Sequence, residues 1–136
     1  MSAATSTGTG GTGAPITLAN LPRATEQQVF EQVVRHLLGQ RATSYGDGIE
    51  AGCAYRGARG LRCAAGCLIA DDEYQPDLME GEAWELLVRK DMVPSTHEVL
   101  IQRLQFIHDE HSPEAWRDRL QRAAQNFGLT MPPEYA

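Results

Sequence analysis

Three cysteines and four histidines are the residues of this chain whose chemistry reaches furthest. Cys63 and Cys67 stand four apart, so on a helix they share one face, and a turn at Gly57 to Gly60 would bring Cys53 beside them. Joined by a histidine, with His108 as the candidate, Cys53, Cys63 and Cys67 would make a closed, tetrahedral Cys3His zinc site. Their order is C-x9-C-x3-C, without the paired C-x2-C knuckles of common zinc modules. Free cysteine also packs as a small hydrophobe, and Ala64, Ala65, Leu68 and Ile69 surround these three, so core packing is the simpler reading. A thiol enzyme is the other use: Arg62 and a helix start would both favour thiolate at Cys63. Such a nucleophile needs a positioned base and an oxyanion site, and no such constellation is visible. The expectation is no catalysis and no cofactor, with a zinc domain and a thiol-dependent enzyme as alternatives.

The run His108-Asp109-Glu110-His111 has metal-binding residue types but not the H-E-x-x-H order. It straddles the predicted end of one helix and the start of the next, where histidine and carboxylates suit the helix dipoles. Charge is more informative. Net charge is −6, which disfavours binding nucleic acid through its phosphates. Seven acids (Asp71, Asp72, Glu73, Asp77, Glu80, Glu82 and Glu85) lie between Leu68 and Val88 with no basic residue among them, and Arg56, Arg59 and Arg62 precede them. This stretch could face solvent, pair with the three arginines, or form a surface that steers onto a basic protein. With Trp84 at its edge, it is the candidate partner-binding face.

The elements that must carry these residues are mostly helices. Thr25 and Gln28 form a capping box, and Val29, Phe30, Val33, Val34, Leu37 and Leu38 make one apolar face that Gly39 should end. Residues 40 to 52 read as loop with a turn at 46–48, and Gly57 and Gly60 suggest a short hairpin. Ala64 to Ala70 reads as a short buried segment in which Gly66 weakens a helix unless something packs closely on it. A helix is expected over Glu82 to Lys90, with Ala83, Trp84, Leu87 and Val88 inward. Another should run from Thr96 to about His108, capped by Ser95 with Glu98 and burying Val99, Leu100, Leu104 and Ile107. A last one begins with Ser112 and Pro113, buries Trp116, Leu120, Ala123, Ala124 and Phe127, and stops at Gly128. The fold class is thus mainly α: a compact bundle of about four helices with one short β-hairpin.

At 136 residues, 42% hydrophobic and 22% charged, one domain is expected over 21–136 behind a flexible Ser/Thr/Gly-rich tail at 1–20. The tail lacks the pattern of an export signal and no apolar run is long enough to cross a membrane, so a soluble cytoplasmic protein is expected. Three thiols then argue against a disulfide framework. Phosphate-cradling, dinucleotide-binding and nucleophile-elbow motifs are missing.

The stretch Tyr55-Arg56-Gly57 with Gly60 through Tyr74 and Met79-Glu80-Gly81 resembles small uncharacterised phage and prophage proteins carrying a Cys-Ala-x-Gly-Cys-Leu-Ile-x-Asp segment. Leu104 to Asp109 and Trp116 are similar to the same group. The resemblance implies a viral or mobile-element origin and a host cytoplasmic setting, and transfers no activity. With the segregated charge, it leads to the expectation of a small acidic accessory or regulatory protein that binds another macromolecule, a host protein in a phage setting.

Overall fold

A computed structural model describes residues 14–46 and 52–136, so 1–13 of the expected tail and most of the expected turn at 46–48 lie outside the described residues. The fold is mainly helical: α1 (Glu26–Gln40), α2 (Pro76–Met79), α3 (Trp84–Arg89), α4 (Glu98–Glu110) and α5 (Pro113–Phe127), linked by short 3-10 turns. The helix α4 packs against α1, α3 and α5. The core they enclose centres on Phe30, Leu37, Leu68, Leu87, Leu104, Trp116 and Leu120.

Thr25 and Gln28 make their capping box at the start of α1, and the six expected apolar residues are all buried. Gly39, however, does not end the helix. It continues to Gln40 and turns at Arg41, whose φ is 57°. The Gln40 amide explains the extension: its Oε1 accepts from the Arg62 N–H at 3.0 Å and its Nε2 donates to the Arg62 carbonyl at 2.8 Å. The expected Ser95 box does not form either. The helix α4 starts two residues later than expected, after His97 in the left-handed region, without a side-chain cap. Its buried stripe is Leu100, Ile101, Leu104, Ile107 and His108, which leaves Val99 70% exposed. Gly128 ends α5 as expected, with φ 68°.

No β-hairpin is found among the described residues. Single antiparallel bridges join Tyr45 to Cys53 and Arg56 to Arg62, the second closed by a 3-10 turn at Ala58–Gly60. The backbone groups that would extend a ladder are taken by side chains. The Tyr55 and Arg56 N–H groups both donate to the Glu80 carboxylate at 3.0 Å, while both polar groups of Arg62 go to Gln40. Residues 14–20 of the expected tail are likewise held. Ile16 exchanges both backbone groups with the Gln32 amide, and Leu18 and Ala19 donate to the Glu73 carboxylate at 2.9 Å each. Leu21 follows, fully buried.

Ala65–Leu68 is a tight 3-10 turn with Gly66 inside it. A Cβ at Gly66 would lie 2.2 Å from the Tyr55 carbonyl oxygen, a backbone atom that cannot move aside. Gly39 is exposed in the last turn of α1 with nothing within 4 Å. The two glycines therefore predict opposite outcomes. Gly66→Ala should lower unfolding free energy by about 1–3 kcal/mol through overpacking, and Gly39→Ala should raise it by about 0.5–1 kcal/mol, both read from urea denaturation midpoints.

Candidate functional site

The acidic stretch is not one face. Glu73 accepts from Leu18, Ala19 and Ala70 backbone N–H groups and so works as a clamp on the N-terminal segment. Glu80 accepts from Tyr55 and Arg56 and takes a short hydrogen bond from the Tyr74 hydroxyl. Asp71 accepts from Arg56 at 2.8 Å and Arg62 at 3.1 Å, so part of the charge serves as intramolecular partner to the arginines. Arg56 also donates to the Ile69 carbonyl and lies 4.9 Å over the Tyr74 ring. That leaves Asp72, Asp77 and Glu85 exposed and Glu82 half-buried. Arg59 is exposed and contributes no ion pair among the described residues.

The alternative Cys3His set of Cys53, Cys63, Cys67 and His108 is not gathered among the described residues. Cys63 is fully buried with Sγ accepting the Gly66 N–H at 3.3 Å, and Cys67 donates its thiol to the Ala64 carbonyl at 3.1 Å. Both satisfy the tight turn they sit in. Cys53 instead joins His108 and Asp109, their ligand atoms all within 4.8 Å of one another. The imidazole there is already committed. The Ser44 N–H donates to Nε2 at 2.9 Å, so the ring proton sits on Nδ1 and is donated to Asp109 at 2.8 Å. A metal on Nδ1 would require both ring nitrogens to be acceptors, or the Ser44 bond to break. His108 is fully buried and stacks on Trp116 with ring centroids 5.4 Å apart, a packing role. The sequence set Asp109 beside His108 in the 108–111 run, but offered no sign of Ser44 or of Cys53 next to that pair.

Thiolate chemistry is opposed everywhere. Burial, then the neighbouring Asp109, pushes the Cys53 thiol up to about 11. Burial raises Cys67 to about 12 and moves Cys63 in the same direction. Burial thus favours the protonated thiol at all three positions.

A cleft of about 490 Å³ lies between the loop at 80–83, α3 and α4. Tyr55, Trp84 and Phe106 line it together with Glu80, Glu82, Glu85 and Asp109, and no Lys or Arg is among the described lining residues. Trp84 is only 2% exposed, where an edge position was expected, and tilts against Tyr55 at 6.4 Å between centroids. Its buried indole N–H has no acceptor among the described residues. Glu82 and Glu85 have only loose partners, Lys90 at 4.0 Å and Arg89 at 3.6 Å. Phe106, 54% exposed, was missed in the sequence, although the α4 stripe of Leu100, Ile101, Leu104 and Ile107 already leaves it off the buried face.

Two predictions test these assignments. Glu80→Gln turns an amide N–H toward a backbone N–H or the Tyr74 hydroxyl, and should cost about 1–3 kcal/mol of stability, whereas Glu82→Gln at the cleft rim should stay within about 0.5 kcal/mol. Both are read by urea denaturation. Stability should also fall at both ends of the pH range. Because burial lowers the His36 pKa from 6.5, folding favours the neutral ring, and that contribution is present above pH 6.5 and lost as pH falls. Because folding raises the thiols above their ordinary 9.0, their contribution is full below pH 9.0 and is lost as pH rises, for Cys53 toward about 11. Melting temperature against pH checks this, with His36→Gln flattening the acid limb and Cys53→Ser the alkaline one.

Comparison of the chain with protein-family models, with curated proteins and with solved structures finds no match.

Proposed function

We propose that this chain is a small acidic accessory protein that acts by binding a protein partner, and that the cleft between α3 and α4 receives an arginine side chain of that partner. One observation carries the reading: four carboxylates and three aromatic rings line a single cleft whose described walls hold no positive charge. A cavity of this size is in the range that small ligands and anchoring side chains fill. Guanidinium suits it better than ammonium. Its plane stacks on aromatic faces while its fork of N–H groups meets carboxylates two at a time. Glu82 and Glu85 can turn toward such a guest at small cost, because exposed pairs like theirs with Lys90 and Arg89 are worth little. Glu80 and Asp109 are fixed by their internal hydrogen bonds and supply a preset field.

The two tryptophans give an internal control. The Trp116 indole N–H is satisfied by the His111 carbonyl at 2.9 Å, away from the cleft, whereas that of Trp84 has no such acceptor. Titrating ¹⁵N-labelled protein with a short arginine-rich peptide should shift the Trp84 indole resonance and leave that of Trp116 in place. Paired Glu82→Gln and Glu85→Gln substitutions should weaken the binding by about tenfold or more, and lysine in place of arginine in the peptide should weaken it too. A Trp84 resonance that stays put at saturating peptide would count against the proposal.

A further inference from the structure

The acidic cleft has a counterpart of opposite sign across one ridge. Gln102 and Phe106 of α4 line the acidic cleft on one side and, on the other, a second groove between α4 and α5. That groove presents Arg103, Arg119 and Arg122 above Val99 and Ile107, with no carboxylate among its described lining residues. The ridge itself is apolar and open: Val99 is 70% exposed and Phe106 54%. They stand seven residues apart, two helical turns, so they line one stripe along α4. The helix thus carries carboxylates on one flank, an uncovered apolar stripe along its crest, and guanidinium groups on the other flank.

We infer that the partner of the acidic cleft is a second copy of this chain, bound across α4 so that the arginine flank of each copy lies on the acidic flank of the other. This rests on the proposed function and names the occupant of the same cleft. Symmetry makes the fit specific. A two-fold axis running parallel to α4 exchanges left and right flanks, so each acidic cleft meets the arginines of its partner and Phe106 meets Phe106 at the centre. A two-fold axis perpendicular to α4 within the contact plane would set acid on acid and base on base, and like charges facing one another disfavour it. The arrangement has the anatomy of a protein interface, with an apolar aromatic centre and a charged rim. Because the flanking pairs lie near solvent, the association weakens as salt rises.

Sedimentation equilibrium of the full chain over a range of concentrations tests this with two charge-reversed variants. Arg119→Glu with Arg122→Glu makes both flanks acidic, and Glu82→Arg with Glu85→Arg cancels the charge of the acidic flank, since Glu80 and Asp109 remain beside the two new arginines. None of these four side chains belongs to the core. The wild type should move from the mass of one chain toward that of two at low salt. Each variant alone should self-associate at least about tenfold more weakly, and an equimolar mixture should regain the two-chain mass, a rescue that misfolded variants could not give. A wild type that stays at one chain at every concentration, or variants that associate alone as well as wild type, would overturn the inference. The Arg119→Glu, Arg122→Glu variant keeps its acidic cleft, so the peptide titration on it addresses the cleft alone. A Trp84 shift there beside a monomeric wild type removes the second copy as partner and leaves the cleft's preference for guanidinium standing.

Discussion

The arrangement of this fold depends on a single carboxylate that gathers consecutive backbone amides. Glu80 takes the backbone N–H groups of two successive residues, Tyr55 and Arg56, which a neighbouring strand, pairing with alternate residues, could not both accept. Buried backbone donors must be matched somewhere, and here a side chain matches them. The same device recurs twice. Glu73 binds the successive amides of Leu18 and Ala19, and Gln40 pairs with both polar groups of Arg62. Three side chains thereby hold the irregular segments onto a helical frame, and the Tyr55 ring, once fixed, forms a wall of the aromatic cleft.

What was legible in the sequence follows from how local each signal is. The capping box at Thr25, the apolar face of α1, the stop at Gly128 and the need for close packing at Gly66 are all decided within a few residues, and all are present. The hairpin was misread because Gly57 and Gly60 do form a turn, but the flanking backbone finds its partners in Glu80 and Gln40, far away in the chain. The same distance hid the docking of residues 14–20, whose composition is that of a tail and whose anchors are Gln32 and Glu73. Val99 was placed inside by an apolar count that ignored Ile101 and His108, the residues that complete the buried stripe of α4.

Charge segregation in the sequence was real but carried a mixed meaning. Of the seven clustered acids, Asp71, Glu73 and Glu80 are bound to backbone or arginine within the molecule, which a charge count cannot distinguish from solvated ones. Asp72 and Asp77 are exposed and lie outside the cleft, and Glu82 and Glu85 gain significance only from what stands beside them: Tyr55 from the middle of the chain, Trp84 from α3, and Phe106 and Asp109 from α4. The cysteines, the most conspicuous residues in the sequence, fill space and close a tight turn, as their apolar neighbours implied for Cys63.

The clamp on Leu18 and Ala19 has a kinetic consequence. It spans 54 and 55 residues, and the Glu80 contacts span 24 and 25, whereas α4 and α5 are neighbours joined by a tight connection. Contacts between neighbouring helices close small loops and form early, while those that close large loops must await an existing surface to dock on. By that measure the pairing of α4 with α5 is expected to form before the contacts of Glu73 and Glu80 close. The wall that Tyr55 and Glu80 give the cleft therefore rests on contacts that close larger loops than those joining α4 to α5.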